Sequence, residues 1–179
     1  MLRTFTLLAL ATFTFSCVSN QKKGNIENSI AENKISEIIP IVDFDGVKPL
    51  LHKDSDTLYV VNFWATWCAP CVKEIPYFEQ IALEFANQKL KVILINLDFP
   101  NHYESRLLPF VKEHGIKSTI VMLDDPDANR WINQVDTTWS GSIPATLIYN
   151  RHERKFFEQE FTYQELKDAV TSLQLKAEN

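Results

Sequence analysis

The chain has 179 residues, 45% of them apolar and 23% charged, a balance that excludes a mainly disordered protein. The formal net charge is -5 and no Lys/Arg run exceeds the pair Lys22-Lys23, which argues against a nucleic-acid surface. Glycine occurs only at Gly24, Gly46, Gly115 and Gly141, so neither G-x-G-x-x-G nor G-x-x-x-x-G-K can be written, and the phosphate-cradling loops of nucleotide enzymes are excluded.

At the start, Arg3 is the sole charge before Lys22, and a largely apolar run from Phe5 to Phe15 follows it. About eleven residues is too short for a membrane span, which needs roughly 20. A positive start, a short apolar stretch and the small Ser16 read as a secretory signal over residues 1–16. Cys17 comes next, and the segment resembles a bacterial lipoprotein signal, in which that cysteine carries the lipid. It departs from the pattern at Thr14, where leucine is usual, and at the bulky Phe15. An ordinary signal peptide with Cys17 near the cut, or an uncleaved anchor, are the alternatives. Export places the other two thiols where disulfides persist. Residues 17–37 are polar and lack apolar periodicity, as a tether does; about 20 such residues reach roughly 25 Å.

Residues 38–176 then alternate between strand and helix patterns. Leu58–Trp64 is a short, β-rich apolar run of the buried-strand type. Ala69–Gln88 carries Ile75, Phe78, Ala82 and Phe85 at helical spacing. Lys91–Leu97 predicts a second buried strand, Ser105–Glu113 a helix stopping at Gly115, and Thr119–Leu123 a third strand. Asp127–Gln134 reads as a helix, and Ala145–Tyr149 with Lys155–Glu158 as a hairpin around a polar turn. Thr162 and Glu165 form a capping box for a last helix with Leu166, Ala169, Val170 and Leu173 on one face. This order predicts an α/β fold: parallel early strands covered by helices, with an antiparallel hairpin at one edge.

The chemistry lies in Trp67-Cys68-Ala69-Pro70-Cys71, which follows the first buried strand and opens a helix. Two cysteines three apart at a helix start can close a small disulfide ring. The free amides and dipole of that helix end favour a thiolate on Cys68. Cys68 is expected exposed, as the nucleophile, and Cys71 shielded one turn in, as the resolving thiol. Pro70 restricts the backbone without removing a needed bond. A zinc half-site lacks a second C-x-x-C, and His52, His102, His114 and His152 are scattered. A purely structural disulfide is the other alternative.

From about Ile38 to Leu175 the chain resembles the thioredoxin superfamily, and within it the TlpA/ResA-like periplasmic thiol–disulfide oxidoreductases. Asn62–Cys71 follows the strand-and-site segment, and Cys71-Val72-Lys73-Glu74-Ile75-Pro76 the group's C-x-x-E-x-P continuation. The resemblance implies a thioredoxin-like fold with a central mixed β-sheet flanked by helices. It makes Pro76 the helix-kinking proline, and Ile143-Pro144 a cis bond facing the disulfide. The Ile143 backbone then pairs with a partner's extended chain. Trp67, Ala69 and Pro70 join Ile143 and Pro144 as the substrate-binding set. Thioredoxins place a buried Asp where Asn62 stands; the group carries an acid at the Glu74 position instead. Glu74, three residues after Cys71, is either a partly buried proton-exchanging carboxyl or a solvated helix charge.

Weaker readings attach to three aromatic residues and one acid. Trp67 is read as the rim of the site and Trp64 as core; Trp139 lines a partner groove or packs in the core. Asp98, at the end of the second strand, reads as an ordinary turn acid. The expected activity is dithiol–disulfide exchange needing no organic cofactor or metal. Expected partners are protein disulfides and dithiols, apocytochrome c among them, and a membrane thiol donor that recharges the protein. The resemblance favours a reductant, working as a lipid-anchored, periplasm-facing monomer of the bacterial envelope. The rivals are an oxidase that installs disulfides, a redox sensor or binding module, and a peroxidase, whose P-x-x-x-T-x-x-C pattern is missing before Cys68.

Overall fold

The computed structural model describes residues 38–177. The signal-like segment, Cys17 and the tether lie outside the described residues. In chain order the elements are β1 (Ile41–Val42), α1 (Phe44–Val47), β2 (Leu58–Trp64), α2 (Ala69–Glu84), β3 (Leu90–Asn96), α3 (Leu108–His114), β4 (Thr119–Leu123), α4 (Ala128–Val135), β5 (Ala145–Tyr149), β6 (Arg154–Phe157) and α5 (Tyr163–Ala177).

The strands form one sheet in the order β1-β4-β3-β2-β5-β6. β1, β4, β3 and β2 run parallel, with Val60 opposite Val92 and Ile93 opposite Thr119. β5 is antiparallel to β2, with Val61 opposite Leu147, and β6 closes the hairpin at the edge. This is the expected mixed sheet.

Side chains alternate along each strand, and both faces are covered. Leu58, Val60 and Trp64 of β2 join Val92, Leu94 and Met122 under Ile75, Phe78 and Ile81 of α2 and Leu166, Val170 and Leu173 of α5. Tyr59, Val61 and Phe63 face the other way, against Phe44 and Val47 of α1 and Trp131 and Val135 of α4. Every residue of β2 is buried, which is why the strand reads as a continuous apolar run rather than an alternating one. Full burial of a side chain such as Phe78 stabilises by about 1.5–3 kcal/mol, so these anchors fix how α2 lies on the sheet.

Among the expected helices, α2 and α3 depart most from the prediction. α2 ends at Glu84 rather than Gln88, because the chain tightens into turns in which Ala86 bonds the Leu83 carbonyl and Gln88 that of Phe85. The helix expected over Ser105–Glu113 is a π-turn at Tyr103–Leu107 followed by α3. Pro109 has no amide to give to the preceding turn, so regular α-helix restarts around it in a first turn, where a donor is not needed. Gly115 then ends α3 in the left-handed region, at φ 60°.

Candidate active site: a disulfide at a helix start

The parallel strands β2 and β3 end side by side, and the turn after β2 leads directly into α2. Cys68 is the N-cap of that helix: its sulfur accepts from the Cys71 amide at 3.3 Å and its carbonyl accepts from Val72. The two cysteines are joined as a disulfide with Cα atoms 5.3 Å apart. Pro70 occupies the first turn, and Pro76 lies inside the helix, where it cannot bond the Val72 carbonyl.

Cys71 is fully buried, as expected for a shielded thiol. Cys68, unlike the exposed nucleophile its place in the motif predicts, is only 6% exposed. The cause is the loop opposite: the Cys68 sulfur sits 3.7 Å from the carbonyl oxygen of Ile143. Ile143-Pro144 is cis, and Pro144 is buried while Ile143 is half-buried. Around this covered sulfur, Trp67 is 52% exposed, Ala69 is exposed and Pro70 half-exposed. Phe99, at the end of the neighbouring strand, is also well exposed.

Glu74 is fully buried rather than solvated. One carboxylate oxygen accepts from the Asn62 side-chain amide at 2.8 Å, and the other from the Phe161 backbone amide at 2.8 Å. Burial pushes its pKa up to about 7; the Phe161 and Asn62 hydrogen bonds oppose the shift and the charge of Glu160 adds to it. Asn62 also donates to the hydroxyl of Thr146 at 3.1 Å, while its own carbonyl oxygen is buried without a hydrogen-bond partner. A carboxyl that titrates near neutrality therefore lies buried one helical turn beyond Cys71. It can hold or release a proton at the pH where thiols begin to ionise.

Asp98, the acid after the second strand, makes structural contacts and is buried. It is 2% exposed, and one oxygen accepts from the Thr66 amide at 3.0 Å while the other accepts from Asn96 at 3.3 Å. It ties the end of β3 to the turn that carries Trp67 and Cys68. Trp139 is core: its ring packs on Phe63, Trp131 and Phe156, and its indole N–H donates to the Ser142 carbonyl at 2.8 Å. Trp64 is fully buried against Phe110. The partners of Glu74 went unread in the sequence, because Asn62, Thr146 and Phe161 are far apart along the chain. Among the described residues no group of three or more His, Cys, Asp or Glu side chains gathers as a metal site.

A mixed sheet between two helical layers, with a C-x-x-C disulfide at a helix start and a cis-proline loop beside it, defines a thioredoxin-fold protein with a redox-active dithiol. Residues 44–154 match the AhpC/TSA family, and the chain belongs to that family. It is similar to the thiol-disulfide oxidoreductase ResA of Halalkalibacterium halodurans, 29% identical over 92 residues, which are 51% of this chain and 47% of that protein. The chain thus spans about half the length of that relative. With ResA of Bacillus subtilis it is 28% identical over 146 residues, 80% of this chain and 73% of that one. Among solved structures, a DsbF homologue from Corynebacterium diphtheriae superposes with a TM-score of 0.54 at 26% identity, covering 66% of this chain and 73% of that one.

Proposed function

We propose that the protein is a thiol–disulfide oxidoreductase that reduces disulfides of partner proteins. The observation that carries this is the Cys68–Cys71 disulfide at the start of α2, with the Cys68 sulfur against the Ile143 carbonyl of the cis-proline loop. The names of the ResA relatives support it.

In the reduced protein the Cys68 thiolate is stabilised by the Cys71 amide and the helix dipole. It attacks one sulfur of the partner's disulfide; that bond breaks, and the leaving thiolate takes a proton. Cys71 gives its proton to the Glu74 carboxylate and attacks the Cys68 sulfur of the mixed disulfide. The second partner thiol leaves, two electrons have passed to the partner, and Cys68–Cys71 is oxidised. During the attack the partner's extended chain pairs with the Ile143 backbone, flanked by Trp67, Ala69, Pro70 and Pro144.

On this proposal the protein works in the bacterial envelope, facing the periplasm and held by a lipid on Cys17. Apocytochrome c is among its partners, and a membrane thiol donor recharges it. The polar stretch 17–37 and the signal-like residues 1–16 support that placement. Trapping tests it: Cys71→Ser stalls at the mixed disulfide, and mass spectrometry of what is bound to Cys68 identifies the partner. Recovery of no disulfide-linked protein counts against the reading. A measured reduction potential decides the direction of exchange. A value near that of thioredoxin, about −270 mV, fits a reductant, and one near about −120 mV makes the protein an oxidase.

A further inference from the structure

The loop that presents Ile143 to the disulfide is held by a carboxylate from another part of the chain. Glu158 lies just beyond β6. One of its oxygens accepts from the Ser142 amide at 3.0 Å and from the Ser140 hydroxyl, and the other accepts from the Ser140 amide at 3.1 Å. Between the two serines Gly141 sits at φ 95°, a conformation that lets successive amides address one anion. On the other side of the same turn, the buried Trp139 ring donates to the Ser142 carbonyl. The next residue is Ile143, whose carbonyl faces the Cys68 sulfur.

We infer that Glu158 is a positioning residue for substrate recognition. Its carboxylate sets the Ser140–Ser142 turn so that the Ile143 backbone stands beside Cys68, ready to pair with an extended polypeptide that carries a disulfide. This rests on the thiol–disulfide exchange reading and deepens it by naming what distinguishes a protein substrate from a small one. A polypeptide needs the Ile143 backbone in register, whereas a small disulfide needs only the Cys68 sulfur. Burial works to raise the Glu158 pKa, but the hydrogen bonds from Ser140 and Ser142 hold it below its ordinary value, so the clamp is charged at neutral pH.

Glu158→Gln keeps the size of the side chain, removes the charge and sets an NH2 group against one of the amides. The full chain and this variant are compared on insulin, a protein disulfide, and on oxidised glutathione, a small one. The expected result is a KM for insulin raised about tenfold, with kcat little changed and the glutathione rate within about twofold. Amide exchange at Ser140 and Ser142 should accelerate in the variant. Equal losses on both disulfides, or an unchanged KM for insulin, overturn the recognition role. Unchanged exchange at the two serines overturns the clamp itself. If the unaltered protein reduces neither disulfide, the exchange reading fails and the recognition role falls with it. Accelerated exchange in the variant still shows the clamp in that case, so the two failures are told apart.

Discussion

The side-chain amide of Asn62 donates to the carboxylate of Glu74 at 2.8 Å, in a space where neither residue has any exposed surface. Asn62 lies on β2 and Glu74 on the second turn of α2, so one hydrogen bond links the central strand to the helix that carries both cysteines. An ionised carboxylate is kept here by two donors against the cost of burial, and the balance leaves it titrating near neutrality.

The stability of the protein should therefore fall as pH rises through neutrality. The folded-state pKa of Glu74 is raised, to about 7 from 4.5. Its contribution is complete below the unfolded value, declines from there upward and is lost above about 7. Across that window the difference is about 3 kcal/mol. Denaturant unfolding at pH 5 and pH 8 reads it, and Glu74→Gln should remove that part of the slope. Asn62→Leu, which deletes a donor to the ionised form, should move the Glu74 titration still higher, as seen by the carboxyl carbon shift against pH. A Glu74 titration below its ordinary range would contradict both expectations.

Asp98→Ala should loosen the turn before Cys68. The substitution strands the Thr66 amide and the Asn96 side chain, both held by the Asp98 carboxylate. A loss of about 2 kcal/mol in denaturant unfolding is expected. Faster amide exchange at Thr66 should accompany it, since that donor loses its partner.

Two tryptophans three residues apart should behave oppositely. Trp64 is fully buried and Trp67 is half exposed. Trp64→Ala should cost about 3–5 kcal/mol through the cavity it leaves. Trp67→Ala should change stability by no more than about 0.5 kcal/mol, while its KM for a protein disulfide rises. Thermal unfolding together with insulin-reduction kinetics separates the two effects.

The capping box of α5 is formed: the Thr162 hydroxyl accepts from the Glu165 amide at 3.3 Å, and the Glu165 carboxylate accepts from the Thr162 amide at 2.9 Å. Thr162→Ala should cost about 1 kcal/mol. Hydrogen bonds from the Thr162 amide and hydroxyl hold the Glu165 pKa below its ordinary value. The box is therefore complete above the unfolded carboxyl pKa and weakens as pH falls through the folded one. Far-UV circular dichroism during acid titration of the wild type and the variant checks this.

Much of the architecture was legible because burial on both faces writes itself as runs of consecutive apolar residues. β2, β4 and β5 fall where their runs predict, and β3 and β6 start one residue early. β1 and α1 were not legible. Two residues of strand show no period, and this pair exists because Ile41 and Val42 find Met122 and Leu123, and Phe44 packs with Phe63 and Trp131.

The sequence alone located the cysteine pair: two cysteines three apart, at the point where a buried strand gives way to a helix, carry their own local geometry. The acid one turn beyond Cys71 is likewise a spacing along one chain, whereas the proline loop at Ile143-Pro144 is what the family resemblance implies. Only the tertiary structure decided what those groups experience. It buried Glu74 by laying α2 on Asn62 and Phe161, turned Asp98 onto Thr66, covered Cys68 with Ile143, and set Glu158 against a loop 16 residues before it. Spacing along a chain fixes which groups are neighbours on a helix or strand. Solvent exclusion and long-range hydrogen bonds depend on which elements pack together, and that appears only when the sheet has closed.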